Sequence, residues 1–283
     1  MAMESPEIVS RIAEMTEHLE PMPQIATKVM EMVGDPDTSC EMLASTISRD
    51  PALASRILSL ANTPYYRRLA SITSLNTAVM VLGFGTIQSL VLTIAVGIMF
   101  GGATARKTLT QIWEHSVATA LISETLGRRL ALSDQERCYI AGLLHDVGKL
   151  VFCKALPDRF KEVLKKSKSE RVPCFEAEKN QFGFDHAQLG EAVLQKWNLP
   201  DVYRVPVANH HELAALEPTE ILTPLVHVAD RTAYEILGSE DEQKSPLDPL
   251  ATERLGLKET EVVELVSEER EVVSENLQLI ARL

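Results

Sequence analysis

The sequence predicts an all-α protein built as a multi-helix bundle. Apolar residues recur three and four positions apart along most of the 283-residue chain, and no segment alternates apolar and polar residues as a half-buried strand would. Helix signals punctuate this pattern, such as Asp50-Pro51, where an N-cap residue precedes a proline at the first helical position. Only 5% of the residues are aromatic, so we expect an aliphatic core.

The first third of the chain contains six predicted helices, most of them ended by glycine, proline or asparagine. They cover residues 7–18, 24–33, 39–48, 50–62, 74–82 and 86–100. No charged residue occurs between Leu69 and Ala105, but Gly83 and Gly85 interrupt the apolar run, and a membrane span needs about 20 continuous apolar residues. We therefore expect a buried helix pair here, with a membrane span as the alternative.

Helical patterns continue beyond Gly101-Gly102, which predicts a subdomain boundary. The predicted helices cover residues 108–130, 134–147, 160–168, 185–197, 201–212 and 223–238, and an amphipathic helix or helix pair ends the chain. Asp185 is followed three residues later by Gln188, a capping-box pattern, and Pro206 is expected to bend its helix. The predicted domains are an N-terminal helical subdomain (1–104), a metal-binding helical subdomain (105–240) and an acidic loop with the amphipathic helix (241–283).

Charge and cysteine usage exclude several classes of protein. The net charge of -12 argues against a nucleic-acid partner, because neutralising backbone phosphates requires a surplus of lysine and arginine. The N-terminus carries early acidic residues and no apolar run, so it does not resemble a signal peptide. The four cysteines lie in aliphatic surroundings without CxxC pairing. These features predict a cytoplasmic protein with reduced cysteines and no membrane partner.

Residues 141–150, which read AGLLHDVGKL, place a histidine and an aspartate directly after an apolar run. Burying such a pair is costly unless something compensates it, and a metal ion is one such compensation. Other histidines and one aspartate share inward faces of predicted helices, and the pairs 145–146 and 210–211 are expected to lie about 100° apart on one helix. The candidate metal ligands are His115, His145, Asp146, His186, His210, His211 and Asp230. Imidazoles with a few carboxylates suit iron, zinc, manganese or nickel.

The alternative for each histidine is a hydrogen-bonded core residue, which is the commoner role for a lone inward histidine. We assign His227 to that role and His18 to it or to the surface. For the others together a metal site is favoured, because separate helices rarely bury clustered polar groups by chance. Lys149 follows Asp146 by three residues and could contact a phosphate or another anion at the site. Its alternative role is that of a cation near a helix C-terminus.

The order of His115, His145-Asp146 and Asp230 resembles that of the HD-domain metal-dependent phosphohydrolases, and the added histidines resemble the extended set of the HD-GYP cyclic di-GMP phosphodiesterases. The N-terminal half resembles neither. It resembles the HDOD domain, the HD-related output domain of bacterial signalling proteins, in the motifs Pro21-Met22-Pro23, Asp50-Pro51-Ala52-Leu53, Asn62-Thr63-Pro64-Tyr65-Tyr66 and Leu82-Gly83. This resemblance covers residues 19–238. It implies an HD-like helical bundle preceded by an HDOD-type N-terminal subdomain.

Carried over residue by residue, the resemblance implies two metal ions. One would be held by His115, His145, Asp146 and Asp230, and the other by His186, His210 and His211 with Asp146 bridging. Two departures argue against a cyclic di-GMP phosphodiesterase. Residues 213–216, Leu-Ala-Ala-Leu, stand where those hydrolases have a glycine-rich run ending in Gly-Tyr-Pro. Gln111 stands where some of them place an extra glutamate ligand, so no third metal is expected.

Two functions follow from these features. The first is a bacterial regulatory module that binds a divalent transition metal centre and acts through a signalling protein partner or a phosphorylated small molecule. The second is a metal-dependent phosphohydrolase acting on a nucleotide or phosphodiester, in which Asp146 and Lys149 take part in catalysis and Lys149 steadies the phosphate. A structural histidine cluster without metal is a third possibility. The acidic surface and the C-terminal helix suggest a homodimer.

Overall fold

The computed structural model of this chain describes residues 6–17, 19–66, 71–100, 107–217, 219–238 and 246–280, with side chains up to residue 277. Helices are the regular secondary structure throughout these residues, and no strand occurs among them. The predicted all-α fold is confirmed. The sequence-based interpretations of His18 and Gly101-Gly102 concern residues outside the described ranges, as does most of the predicted acidic loop.

Sixteen α-helices follow one another along the described residues. They are α1 (Pro6–Glu17), α2 (Gln24–Val33), α3 (Cys40–Ser48), α4 (Pro51–Ala61), α5 (Leu75–Leu82), α6 (Phe84–Phe100), α7 (Lys107–Arg129), α8 (Gln135–Leu144), α9 (Val147–Ala155), α10 (Pro157–Glu170), α11 (Cys174–Phe182), α12 (His186–Lys196), α13 (Asp201–Asn209), α14 (Leu222–Leu237), α15 (Pro249–Leu255) and α16 (Glu259–Ile280). A short 3-10 helix spans Leu213–Ala215 between α13 and α14.

The chain divides into two compact units. One unit comprises Met1–Pro21 with Ala105–Arg270, and the other comprises Met22–Thr104 with Glu271–Leu283. All the candidate metal ligands belong to the first unit, which we call the site unit. The functional division at residues 104 and 240 stays a prediction.

The second unit contains helices α2 to α6. Asp50 caps α4 by accepting hydrogen bonds from the backbone amides of Ala52 and Leu53, as its pairing with Pro51 predicted. Gly83 has a φ of 83° and separates α5 from α6, whose axes differ in direction by 118°. Among the described residues no single helix is long and apolar enough to cross a membrane, although α5 and α6 together meet that length and composition across their bend.

The predicted helix over residues 134–147 is wrong in one respect that matters for the site. The helix α8 ends at Leu144, α9 begins at Val147, and Asp146 occupies the N-cap position with φ -100° and ψ 15°. His145 and Asp146 therefore lie at a break between two helices and not on one helix. The pair at 210–211 likewise follows the end of α13.

Two glycines permit the helix contacts that surround this break. A Cβ added to Gly142 would lie 2.8 Å from the carbonyl oxygen of Thr119, so α8 approaches α7 at backbone distance. A Cβ added to Gly148 would lie 2.0 Å from the carbonyl oxygen of His186. Real Cβ atoms do not approach an oxygen so closely, because the steric repulsion is prohibitive. Glycine at 148 therefore brings the first turn of α9 against the start of α12.

The start of α12 is defined by its capping box. Asp185 accepts a hydrogen bond from the backbone amide of Gln188, and the Gln188 side chain accepts one from the backbone amide of Asp185. The predicted capping box is confirmed. Because it sets where the helix begins, it makes His186 the first residue of α12, directly opposite Gly148.

Candidate metal centre

The seven candidate ligands meet in one cluster inside the site unit. His115 comes from α7, Asp230 from α14 and His186 from the start of α12, while the pairs 145–146 and 210–211 come from the breaks after α8 and α13. Six of the seven are at most 6% exposed, and His211 is half-buried. Elements far apart in sequence thus bring together every residue that the helical pattern singled out, while the role of each residue as a ligand stays a prediction.

In the first group of candidate ligands, two imidazoles face one carboxylate oxygen of each of two aspartates. His115 Nε2 lies 2.8 Å from Asp230 Oδ1 and 3.8 Å from Asp146 Oδ2. His145 Nε2 lies 3.4 Å from Asp146 Oδ2 and 3.6 Å from Asp230 Oδ1. Two imidazoles and two carboxylates therefore offer four donor atoms around a common space.

The second group consists of three imidazoles. His186 Nε2 lies 2.9 Å from His211 Nε2 and 3.3 Å from His210 Nε2. Neighbouring nitrogens bound to one ion at about 2.0–2.1 Å are separated by about 3.0–3.4 Å. A single proton on His186 can be shared with only one of the other two nitrogens, so lone pairs face one another unless a cation lies among them.

Asp146 faces both groups with different oxygens. Its Oδ1 lies 3.2 Å from His186 Nε2 and 3.9 Å from His210 Nε2, whereas its Oδ2 faces His115 and His145. A carboxylate placed in this way has one oxygen available to each of two ions.

Hydrogen bonds to the far side of three imidazoles turn their Nε2 atoms toward the cluster. His145 donates from Nδ1 to the carbonyl oxygen of Gly142 at 2.7 Å, and His210 donates from Nδ1 to that of Val207 at 2.9 Å. A carbonyl oxygen only accepts, so each Nδ1 carries a proton, and the nitrogen directed toward the cluster is Nε2, which has a lone pair for a metal ion whenever the ring is neutral. This arrangement of the outer hydrogen bond is usual for metal-binding histidines.

His186 is held in the same way by a carboxylate that sequence reasoning missed. Glu178 Oε2 accepts hydrogen bonds from His186 Nδ1 at 2.6 Å and from the His186 backbone amide at 2.7 Å. The Glu178 side chain is fully buried. No spacing signal distinguishes Glu178 from a solvated acid, because it lies on a different helix, eight residues before the histidine that it orients.

Four buried atoms of the candidate ligands lack hydrogen-bond partners among the described residues, namely Nδ1 of His115 and of His211 on the outer side and two atoms that face the cluster. The two that face the cluster are His145 Nε2 and Asp146 Oδ1, and each points into the space between the candidate ligands. Leaving such atoms unpaired costs about 1–3 kcal/mol each. The donor types, the spacing and these two atoms fit one or two divalent transition metal ions.

The electrostatics of the first group favour charged carboxylates. Burial alone would lower the pKa of His145, but Asp146 and Asp230 overcome this effect and raise it to about 10. Burial would raise the pKa of Asp146, yet His145 and Lys149 lower it well below its usual range. In the same way His115 and His145 lower the pKa of Asp230 against the effect of burial. Both aspartates are therefore ionised at neutral pH, as metal coordination requires.

The pKa values of His186 and His210 in the second group are shifted in opposite directions. Burial opposes the protonation of His186, but Glu178 outweighs it and raises the pKa of that imidazole. Burial, together with the nearby charges of His145 and His186, lowers the pKa of His210 to about 3. His210 is thus neutral, the form that coordinates a metal ion.

Lys149 lies in the first turn of α9, so its alternative role near a helix C-terminus is wrong. Its Nζ lies 3.0 Å from Asp146 Oδ2 and donates to the hydroxyl of Tyr234 at 3.0 Å. Tyr234 also packs its ring against His115 at a centroid distance of 4.2 Å. Tyr234 was not predicted, although it follows Asp230 by four residues and so shares its helix face.

His227 forms part of the scaffold beneath the cluster, in the role predicted for it. Its Nδ1 donates to the carbonyl oxygen of His210 at 2.7 Å, and its Nε2 accepts from the backbone amide of Asp248 at 2.9 Å. Both nitrogens are therefore occupied within the protein. His227 orients the backbone that carries His210 and is not available as a ligand.

The segment after His211 folds back on the protein. Leu213 begins the 3-10 helix and is 1% exposed, and Arg254 Nη2 donates to the carbonyl oxygen of Leu216 at 2.9 Å. This segment is anchored at both ends by packing and by a hydrogen bond.

Comparison of the sequence with known proteins identifies a matching family and a relative. A family model described as the HDOD domain matches residues 19–213, more than half of the chain. The chain is 26% identical over 207 residues to an uncharacterised protein of Treponema pallidum (strain Nichols), and the match covers 71% of this chain and 40% of that protein. The chain therefore spans less than half the length of this curated relative.

Two solved structures resemble the chain over nearly its whole length. An HDOD domain protein of unknown function from Geobacter sulfurreducens is 22% identical with a TM-score of 0.79, covering 96% of this chain and 98% of that chain. A candidate phosphohydrolase from Shewanella amazonensis SB2B is 20% identical with a TM-score of 0.77, covering 99% of this chain and 100% of that chain. At these identities the likeness establishes a shared helical fold.

Proposed function

The chain belongs to the HDOD domain family, and we propose that it is a bacterial regulatory module whose site unit holds a centre of two divalent transition metal ions. His115, His145, Asp146 and Asp230 would hold one ion. His186, His210 and His211 would hold the other, with Asp146 shared between the two. The centre would bind iron, manganese, nickel or zinc, the metals that imidazole and carboxylate donors suit.

One observation carries the metal centre. Asp146 directs Oδ1 toward the imidazoles of His186 and His210 and Oδ2 toward those of His115 and His145, while Oδ1 itself has no hydrogen-bond partner among the described residues. A purely structural core would be expected to satisfy such a buried oxygen. Shared coordination of two cations accounts for both its position and its unpaired state.

The segment after His211 argues against a cyclic-dinucleotide hydrolase and in this way favours the regulatory role. The 3-10 helix at Leu213–Ala215 and the hydrogen bond from Arg254 to Leu216 tie this segment to the protein, and it lacks the glycine-rich run of the cyclic-dinucleotide hydrolases. We propose a signalling protein or a phosphorylated small molecule as the partner, a cytoplasmic setting, and the homodimer as the assembled form.

A turnover screen tests the regulatory proposal. The purified full chain is assayed against phosphodiesters, nucleotides and pyrophosphates in the presence of iron, manganese, nickel or magnesium. The proposal predicts metal binding without appreciable turnover of any substrate. Robust hydrolysis that Asp146→Ala abolishes would overturn it and establish the enzyme instead.

A metal-dependent phosphohydrolase is the second candidate, and the surroundings of Lys149 favour it. Its buried ammonium group lies beside Asp146 and the hydroxyl of Tyr234, so a phosphate bound at the centre would have two further polar contacts. Divalent ions would supply the activation of a water molecule and the neutralisation of phosphate charge. In this role Lys149 would hold the phosphate, and Asp146 would hold both ions.

The metal stoichiometry tests this second candidate separately from turnover. Protein purified under anaerobic conditions is analysed for metal by elemental analysis. The hydrolase requires at least about one ion per chain, since its chemistry depends on the ion. A content below that level, measured on folded protein, contradicts it.

A further inference from the structure

A cavity of about 150 Å³ adjoins the first group of candidate ligands. One part of its wall is polar and consists of His115, Asp146, Lys149 and Tyr234, which contact one another. The cavity therefore opens directly onto Asp146 and Lys149. It is distinct from the space among His186, His210 and His211, none of which line it.

The rest of the cavity wall mixes apolar side chains with the polar residues Thr108, Gln111 and Glu114, and burial raises the pKa of the Glu114 carboxyl above its usual value. Ile112 from α7, Leu164 from α10 and Leu237 from α14 contribute aliphatic side chains, and Phe160 adds a ring. The whole cavity, with its polar side included, has a volume of about 150 Å³, which is the size that accommodates one benzene molecule, so only a compact ring can fit there. The cavity thus combines a polar side, where Lys149 pairs with Asp146 next to the proposed metal centre, with an apolar side against which a ring can pack.

Gln111 adds a neutral polar group to the same wall. Its Oε1 is buried and has no hydrogen-bond partner among the described residues. Glu114 already lines this wall, so a glutamate at position 111 would add a second carboxyl to it and would repel an anion further. The amide of glutamine instead offers an acceptor that a bound molecule could satisfy.

We infer that this cavity is a binding site for a phosphomonoester, or a similar small oxyanion, that carries one compact ring. The inference rests on the proposed metal centre, because the metal ions would contribute part of the affinity of the site for an anion. It extends the proposed function by naming the class of ligand. Lys149 donates to the phosphoryl oxygens, and Tyr234 can donate its own hydroxyl hydrogen because the hydroxyl accepts from Lys149. The ring packs against Ile112, Leu164 and Leu237, and Gln111 accepts a hydrogen bond from the ligand.

The test compares phenylphosphonate with methylphosphonate, whose carbon–phosphorus bonds resist hydrolysis. Calorimetric titration of the full chain, both manganese-loaded and metal-free, gives the affinity for each probe. Phenylphosphonate is expected to bind at least about tenfold more tightly than methylphosphonate in both forms, because the ring removes apolar surface from water. Equal affinities in both forms would overturn the inference.

Variants locate the effect in the cavity. In Ile112→Phe the new ring occupies the space for the ligand ring, so the preference for phenylphosphonate should fall to about twofold or less while methylphosphonate binding is kept. Leu237→Phe provides the same test from α14 should the first variant fail to fold. Val202→Phe, at an exposed position of α13 outside the cavity, is the matched control and should keep the full preference. The assignment of the ring to this cavity is contradicted if the folded cavity variants lose affinity for both probes equally. It is also contradicted if Val202→Phe loses the preference for phenylphosphonate.

The variant Gln111→Glu tests how the charge of the cavity wall affects binding. It should lower the affinity for both probes by about tenfold or more. Unchanged binding would refute the role given to Gln111. The metal content of each sample is measured alongside. A chain that binds no manganese but still prefers the phenyl probe would refute the metal centre and retain the cavity site, so the two proposals fail separately.

Discussion

Replacing Glu178 with glutamine should weaken metal binding although Glu178 would not contact the metal. The carboxylate accepts hydrogen bonds from both the backbone amide and Nδ1 of His186, at 2.7 and 2.6 Å. Glu178→Gln keeps the size of the side chain and an oxygen that can accept both bonds, so the change removes mainly the negative charge. Without that charge the imidazole is held less firmly and is a weaker electron donor.

The loss of this charge is expected to affect both stability and metal affinity. A bond to a charged group contributes about 1.5–3 kcal/mol and a neutral one about 0.5–1.5 kcal/mol, so neutralising the acceptor costs about 1 kcal/mol for each bond. Because the metal-free protein already makes both bonds, their loss of about 2 kcal/mol in total falls mainly on the free energy of unfolding. For metal affinity we expect the loss of about 10- to 100-fold that is usual when a partner of a ligating histidine is changed.

Competition with a chromophoric chelator measures the metal affinity of wild type and variant under the same conditions. Glu176→Gln is the matched control, because Glu176 is exposed on the same helix and the same charge is removed. Glu176→Gln should bind metal as wild type does. If Glu178→Gln lies within about twofold of wild type, or if both variants lose the same affinity, the role assigned to Glu178 is refuted.

Three further predictions follow from the site. In the metal-free protein the His145 imidazole is protonated on both nitrogens near neutral pH, because its pKa is about 10. Metal binding should therefore release about one proton from His145, and the metal affinity should increase as the pH rises from about 6 to 9. Calorimetry in buffers of different ionisation enthalpy measures the proton release, and proton uptake would contradict the prediction. Lys149→Gln should lower the affinity for inorganic phosphate by about tenfold or more at unchanged metal content, and unaltered phosphate affinity would exclude Lys149 as the anion contact. Gly148→Ala should lower the free energy of unfolding by about 1–3 kcal/mol or more in denaturant titration, since its Cβ would lie 2.0 Å from the carbonyl oxygen of His186, and wild-type stability would disprove that close contact.

The helical pattern was sufficient to predict that the candidate ligands lie close together. His115 and Asp230 share helix faces with apolar neighbours, so burying those faces also buries the polar side chains. The same reasoning covers His186, whose helix start was marked by the capping box at Asp185. Helical periodicity thus predicts which side chains point toward the core. Because the helices share one core, these side chains come together there.

The break at His145-Asp146 could not be predicted from periodicity, because residues 138–153 are buried on every side and give no amphipathic contrast. Glu178 was missed for a different reason. It acts through a contact between α11 and α12, and nothing in its sequence neighbourhood reports which helix packs against it. Both features depend on tertiary contacts, such as the approach of Gly148 to His186, and local sequence signals do not encode these.

The metal content of the full chain tests the central claim most directly. Protein purified under anaerobic conditions without chelating agents is analysed for iron, manganese, nickel and zinc, beside Asp146→Ala prepared in the same way. The proposed centre predicts about two ions per chain in the wild type and a loss of both in the variant, because Asp146 serves both groups. Fewer than about one ion per chain in folded wild-type protein, or an unchanged content in Asp146→Ala, would contradict it.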